Sequence, residues 1–307
     1  MIQKLQMFVA LATERHFGRA AEFCGVTQPT LSSAIKHLEH ELGVMLVRRG
    51  SRFAGLTPEG ERALTWARRI LDDHRALREE VASVRTGVSG VLQLGVIPTA
   101  MPLVAELTDP LVRRHPDLEV TILSQTSNQI LRAIDSFEVD VGLTYLDNEP
   151  IGRLAQLPLF RERYCLVYDG ASFDAPSDPL DWAEAAAYPL CLLTPGNQNR
   201  RIIDQQFAAA GVAPRVGVQS NSIIALLGHV VAGGWATVLP IKMARMFAGR
   251  ERIRWAVLGG GAPAYEVGLV TLAQETHRPA VEALLREARR SAARSIDAAN
   301  ASTDRPH

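Results

Sequence analysis

Cysteine is scarce: three in 307 residues, none in a CxxC pair and none beside histidines at metal-ligand spacing, which excludes a disulfide-stapled fold and a cysteine zinc site. No run of about 18 uninterrupted apolar residues occurs, so a membrane-spanning helix is not expected. The opening MIQKLQMFVALATERHF lacks the continuous apolar stretch and small-residue cleavage site of a signal peptide, and a cytoplasmic protein is expected. GxSxG, a Walker loop, HExxH and a full dinucleotide fingerprint are all missing. The eight histidines are scattered without a clear Ser, Cys or carboxylate partner, so no catalytic residue, metal or cofactor is expected, and the chain does not read as an enzyme. Net charge is also missing, with 33 Lys plus Arg against 33 Asp plus Glu, which is odd for a chain that only coats nucleic acid.

What is present points to more than one domain. At 307 residues the chain exceeds what one core usually holds, and 47% apolar with 21% charged residues is typical of globular proteins. Residues 1–90 carry 13 basic against 10 acidic side chains, a local excess that the remainder cancels.

Residues 17–41, FGRAAEFCGVTQPTLSSAIKHLEHE, have the layout of a helix-turn-helix. Ala20 and Ala21 let two helices cross closely, and Gly25 suits a turn that needs positive φ. Thr27 is placed to cap the second helix and Pro29 to sit in its first turn. Leu31, Ile35, Leu38 and Leu42 recur at helical spacing and are expected in a small core with Leu5, Phe8, Val9 and Ala12. Thr27, Gln28, Pro29, Thr30, Ser32, Ser33, Lys36 and His37 are left at the turn and on the outer face, where short hydrogen-bonding side chains suit base edges and phosphates. The alternative is an ordinary three-helix motif with a solvated polar face. Next, VMLVRRGSRFAGLTPEG reads as a short β-hairpin wing whose tip carries Arg48, Arg49 and Arg52, a phosphate grip, with a merely solvated basic turn as the alternative.

With these residues in view, the first 60 or so positions resemble the N-terminal domain of LysR-type transcriptional regulators. The matching run includes Phe8, Phe17-Gly18-Arg19-Ala20-Ala21, Val26-Thr27-Gln28-Pro29, Leu31-Ser32, Ile35, Leu38-Glu39, Leu42-Gly43, Leu46, Arg48-Arg49 and Leu56-Thr57-Pro58-Glu59-Gly60. Two positions depart from the family pattern: Ser33 stands where arginine is more usual, and Val47 where phenylalanine is.

From residue 58 to about 86, Leu64, Ala67, Leu71, His74, Leu77, Val81 and Val84 recur at three-and-four spacing, the seam of a coiled coil about 40 Å long. A helix that long buries too little alone, so homodimerisation is expected, with two recognition helices on two half-sites of double-stranded DNA. Residues 86–90 break the helix as a hinge. Beyond it, strands at 91–97, 118–123, 139–144, 164–168, 189–193, 215–219, 236–239 and 265–272 alternate with helices, implying parallel sheets covered on both faces.

This part resembles the periplasmic-binding-protein-like effector domain of the same family, on looser marks: Gly95-Val96-Ile97-Pro98-Thr99, Asp140-Val141-Gly142-Leu143 and Gly233-Gly234-Trp235-Ala236-Thr237-Val238-Leu239-Pro240. The expected fold is α+β overall: a winged helix-turn-helix at 1–57, a linker and dimerisation helix at 58–87, and a two-lobed α/β effector domain at 91–293. Lobe I takes about 91–161 and 267–293, lobe II about 162–266, and 295–307 is expected to be a disordered tail.

Ligands of such folds lie at the carboxyl ends of strands and at helix N-termini, which favour anions. Three places fit: Thr99 with Ala100 and Met101; Thr126, Ser127 and Asn128; and the run from Thr194 through Asn197, Asn199, Arg200 and Arg201, with Asn221 and Ser222 repeating the pattern. A small carboxylate or inorganic anion is the expected effector, with Thr99 the foremost candidate and Arg200 or Arg201 as counter-charge. Each Ser, Thr or Asn also has a plain reading as a helix cap, and Ile97, Met101 and Ile130 as core. Cys24 and Cys165 read as core fillers, and a redox pair of Cys165 with Cys191 is the alternative signal. The family resemblance further implies a homotetramer built as a dimer of dimers, acting as activator or repressor beside RNA polymerase. A solute-binding transport protein shares the two-lobed fold but needs a signal peptide and no DNA-binding head.

Overall fold

Two glycines set the corners of the N-terminal unit: Gly25 (φ 65°) and Gly43 (φ 69°) adopt the left-handed conformation that closes the turn before one helix and the end of the next. The computed structural model describes residues 1–48, 53–147, 154–247, 252–259, 264–274 and 276–303, in two compact units, Met1–Gly87 and Val88–His307.

The first unit holds α1 (Ile2–Glu14), α2 (Phe17–Phe23), α3 (Gln28–Leu42) and α4 (Pro58–Thr86). Each of the last three has a side-chain cap. His16 Nδ1 accepts from the Gly18 and Arg19 amides, Thr27 Oγ1 from Thr30, and Thr57 Oγ1 from Gly60. Leu5, Phe8, Leu11, Ala20, Ala21, Leu31, Ile35 and Leu38 form one buried core, each large member contributing about 2 kcal/mol. Leu42 departs from expectation. It is 45% exposed at the end of α3, because the chain turns at Gly43 and Leu46, fully buried, fills that side of the core.

Of the expected wing hairpin, the described residues show one antiparallel bridge, Val47 to Leu56, flanked by bonds from Arg48 N to Gly55 O and Thr57 N to Leu46 O. Val44 and Met45 are exposed, and Arg49, Gly50 and Arg52 lie outside the described residues. Helix α4 also differs from a single seam. Leu64 and Ala67 are buried and Leu71 half-buried against the unit's own core, whereas Trp66, Ile70, Leu77 and Val81 share another face and are 40–64% exposed.

The second unit is two lobes. Lobe I has a five-stranded sheet ordered β2-β1-β3-β10-β4, from β1 (Gly90–Val96), β2 (Leu118–Ser124), β3 (Val141–Tyr145), β4 (Leu154–Glu162) and β10 (Tyr265–Leu272). It is covered by α5 (Met101–Arg114), α6 (Ser127–Asp135) and α11 (Pro279–Thr303). Lobe II has the order β7-β6-β8-β5-β9, from β5 (Tyr164–Asp169), β6 (Leu190–Leu193), β7 (Val216–Ser220), β8 (Ala236–Pro240) and β9 (Ile253–Val257). Its helices are α7 (Trp182–Ala185), α8 (Gln198–Ala209), α9 (Ile223–Ala232) and α10 (Ile241–Arg245).

The sheets are mixed rather than parallel throughout: β10 runs antiparallel to β3 and β4, and β5 to β8 and β9. The cause is the route of the chain, which crosses between lobes at β4 to β5 and again at β9 to β10. The crossings touch, since Glu162 and Tyr265 are register partners. The segment expected to be a disordered tail continues α11 as far as Thr303. Its five alanines between residues 292 and 301 favour helix, which outweighs its polarity. No helix among the described residues is long and apolar enough to cross a membrane.

Candidate functional site

In the N-terminal unit, Gln28, Ser32 and Lys36 follow one another at four-residue spacing on α3 and line a groove of about 910 Å³ together with Arg48. Thr27 is occupied as the α3 cap, with Thr30 bonded to it, while Pro29, Thr30 and Ser33 are exposed outside the groove lining. Arg48 anchors its Nε on Leu56 O at 3.0 Å and keeps the side chain beside the bridge.

Glu39 is a positioning residue that spacing along the helix did not single out. Its carboxylate, 8% exposed, accepts the backbone N–H of Leu46 at 2.8 Å and of Val47 at 3.1 Å, joining α3 to the strand that carries Arg48. The available signal was a glutamate four residues after Ile35 and next to Leu38, on the apolar face of α3. Gly60 completes the support. An added Cβ would meet Leu46 O at 2.1 Å, so α4 packs directly on that backbone.

In the second unit a cavity of about 620 Å³ lies between the lobes. Lobe I supplies Met101, Gln125, Thr126 and Gln129, and lobe II supplies Asn197, Asn221, Ser222 and an apolar wall of Ile223, Leu227, Met243, Met246 and Phe247. Of the expected effector residues, Met101, Thr126, Asn197, Asn221 and Ser222 are thus brought together. Thr126 is committed to a capping box with Gln129. Asn197 and Ser222, in contrast, begin α8 and α9 without a side-chain cap bond, so early amides of both helices are not taken by their own caps.

The other expected residues do not line the cavity. Ala100 and Ser127 are buried and Asn128 is exposed. Arg200 spends its donors inside lobe II, on Asp204 Oδ1 (2.8 Å), Leu193 O (2.8 Å) and Gln219 Oε1 (3.1 Å), and Arg201 donates to Gln198 Oε1 and Gly196 O. The lining is accordingly more apolar than the expected polar pocket, and no charged side chain belongs to it among the described residues.

Thr99 lies instead in a buried cluster where the two crossings meet. Its hydroxyl is 3.4 Å from Tyr145 Oη, which donates to Glu162 Oε2 at 2.7 Å and lies 3.2 Å from Tyr164 Oη. Asn199 Nδ2 reaches the same Tyr145 oxygen at 3.5 Å. Desolvation raises the Glu162 carboxyl to about 7, against the hydrogen bond from Tyr145 and the charge of Lys242. Both tyrosine hydroxyls are pushed well above their usual range by burial.

Burial raises the Cys191 thiol to about 11 and pushes Cys165 further up, and desolvation also raises half-buried Cys24.

Two family descriptions match this chain: the LysR substrate binding domain over residues 85–293 and the bacterial regulatory helix-turn-helix protein, lysR family, over residues 2–61. Among curated relatives, the DNA-binding transcriptional dual regulator OxyR of Escherichia coli is 34% identical over 244 residues, 78% of either chain. A hydrogen peroxide-inducible genes activator of Haemophilus influenzae is 27% identical over 278 residues, covering 88% of this chain and 89% of that protein. Among solved structures, a full-length cysteine-to-aspartate variant of OxyR from Pseudomonas aeruginosa superposes with a TM-score of 0.74 at 26% identity, covering 94% of each chain. CbnR, a LysR family transcriptional regulator, shares the fold with a TM-score of 0.67 at 20% identity, over 95% of this chain and 99% of that one. From its α3 face to its two lobes, this chain belongs to the LysR family of transcriptional regulators.

Proposed function

We propose that the protein binds double-stranded promoter DNA through α3 and the adjoining wing, and that a small carboxylate held between the two lobes modulates that binding. One observation carries the DNA contact set: Gln28, Ser32 and Lys36 line one groove together with Arg48. In this reading Gln28 and Ser32 meet base edges, with Thr30 and Ser33 at the margin, while Lys36, Arg48, Arg49 and Arg52 neutralise phosphates.

Two features of the cleft support the effector assignment. The N-termini of α8 and α9, uncapped by side chains, offer amides and the positive end of the helix dipole to an anionic oxygen beside Asn197, Asn221 and Ser222. The methionine, isoleucine and phenylalanine wall suits an apolar body attached to that carboxylate. Closure on the ligand shifts lobe geometry and, through the assembly, the spacing of the DNA-binding units. The exposed face of α4, with Trp66, Ile70, Leu77 and Val81, suits a homodimer seam, and a dimer of dimers acting near RNA polymerase in the cytoplasm is the assembly we infer by resemblance to the family.

The names of the relatives raise hydrogen peroxide as an alternative signal. A reactive thiolate is favoured by exposure and a lowered thiol pKa; here burial raises all three thiols, and Cys165 and Cys191 are fully buried, which supports a bound small molecule over a cysteine switch. Gel shifts on the promoter region beside the protein's own gene, run with a panel of small carboxylates and separately with peroxide, discriminate the two. A carboxylate that changes the complex, with peroxide inert, is the expected result. Peroxide acting alone, lost in Cys191→Ser or Cys165→Ser, would overturn the effector assignment.

A further inference from the structure

The cluster at the lobe crossings has a feature that a static brace does not need. Thr99 and Tyr145 belong to lobe I, Glu162 ends the last strand before the first crossing, and Tyr164 and Asn199 belong to lobe II. All five are buried, none more than 3% exposed. Tyr145 has one hydroxyl proton, and it is given to Glu162 Oε2 at 2.7 Å. Toward Asn199 its oxygen only accepts, from Nδ2 at a long 3.5 Å, and Asn199 Oδ1 has no partner among the described residues. A buried amide oxygen without a donor is costly, typically about 1–3 kcal/mol, so a state that supplies a donor is favoured. The second crossing is tied to the same helix, since Gln206 of α8 donates to Tyr265 Oη at 2.9 Å.

We propose that Glu162 is a proton-operated latch between the lobes: protonated, it turns the Tyr145 hydroxyl from its own carboxylate toward Asn199 of lobe II and tightens the cleft. The protons balance simply. A solvent proton adds to one Glu162 oxygen, and the resulting carboxylic acid donates to the Tyr145 oxygen. Tyr145 keeps its own proton and redirects it to Asn199 Oδ1 as that amide rotates. The bond between Glu162 and Tyr145 reverses its direction, the long contact from Asn199 gives way to a bond donated by Tyr145, and the orphaned oxygen is satisfied in a chain running from lobe I to lobe II.

The surroundings favour a transition near neutral pH. The groups facing Glu162 are Tyr145 from β3, Tyr164 from β5 and the ammonium of Lys242 from α10, which stands 4.0 Å over the Phe160 ring of β4. Glu106 of α5 and Arg245 of α10 act in turn on Lys242. The hydroxyls and the ammonium favour the carboxylate, yet burial outweighs them and holds the carboxyl at about 7.

Two measurements on the full-length protein without effector test the latch. Infrared difference spectra between about pH 5 and about pH 9 should show one carboxylic C=O band that titrates near neutrality and is missing in Glu162→Gln. Fluorophores on exposed Glu119 of lobe I and Ala213 of lobe II, in oligomers diluted with unlabelled chain, should report shorter separation at the acid end with the same midpoint. Asn199→Ala should keep the infrared titration and lose the change in separation, which a merely structural Glu162 does not predict. The proposal is overturned by a band that titrates in the ordinary glutamate range, by a separation that does not follow the band, or by an Asn199→Ala protein that still closes with pH. Because no effector is present, these outcomes leave the carboxylate assignment to its own test.

Discussion

Deleting the Glu39 carboxylate separates the wing from the recognition helix without touching a residue assigned to DNA. In Glu39→Ala the amides of Leu46 and Val47, now bonded at 2.8 and 3.1 Å, lose their acceptor in a buried place. Hydrogen bonds to a charged acceptor contribute about 1.5–3 kcal/mol, and an unpaired buried donor costs about 1–3 kcal/mol. With some relaxation toward water, a net loss of about 3 kcal/mol is expected. Glu39→Gln keeps an amide oxygen in place and should lose about 1 kcal/mol, since neutral acceptors form weaker bonds. For a unit of this size 1 kcal/mol moves the midpoint by about 4–8 °C, so the alanine variant should melt roughly 15 °C lower and the glutamine variant roughly 5 °C lower. Calorimetry of the full chain reads the shift, and amide exchange at Leu46 and Val47 assigns it to the wing. Arg48 should then lose its fixed position, and affinity for operator and random DNA should fall together. An alanine variant with unchanged melting and unchanged protection of those two amides would refute this account of the wing.

Gln28→Ala and Ser32→Ala should lower the ratio of specific to non-specific DNA binding, whereas Arg48→Ala should weaken both and reduce the salt slope by about one; equal losses on operator and random DNA for Gln28→Ala would remove it from base reading. Gly60→Ala would place a methyl 2.1 Å from Leu46 O and should destabilise the N-terminal unit by about 3 kcal/mol in thermal melts, a normal melt showing that α4 stands off that backbone. Glu162, raised from 4.5 to about 7, keeps a proton in the folded state that the unfolded chain has released. Its stabilisation is complete below about pH 4.5 and lost as pH rises through about 7, roughly 3 kcal/mol across the window, so urea midpoints of the effector unit should fall with rising pH and level out in Glu162→Gln; a rise with pH would contradict the sign.

The parts of the chain that were legible in sequence are those decided within a few residues. Gly25, Thr27, Pro29 and Gly43 bound α3 because turn and cap chemistry is local, and alternating apolar runs located β1, β2, β3 and β10 to within about two residues. What was not legible depends on distant partners. Strands β4 and β9 lack a clean alternation because they lie at sheet edges, with polar residues such as Gln156 and Arg254 outward. The α4 pattern merges two faces, one packed within its own unit by Leu64 and Ala67 and one exposed at Trp66 and Leu77, which a three-and-four spacing cannot separate. Thr99 follows a strand as expected of a ligand contact, yet its hydroxyl faces Tyr145, 46 residues on. Glu162 and Asn199 acquire their roles only when the crossings bring β3, β4, β5 and α8 together.

Footprinting the promoter region beside the protein's own gene at two salt concentrations, with and without a panel of small carboxylates, decides whether one chain both reads DNA with α3 and senses a small carboxylate between its lobes. A partly palindromic protected site is expected, weakening with salt and changing in extent with one carboxylate, the change being lost when the cleft wall is altered by Met243→Lys. Protection absent at both salt concentrations, or a footprint that no carboxylate alters while an unrelated uncharged ligand does, would contradict the assignment.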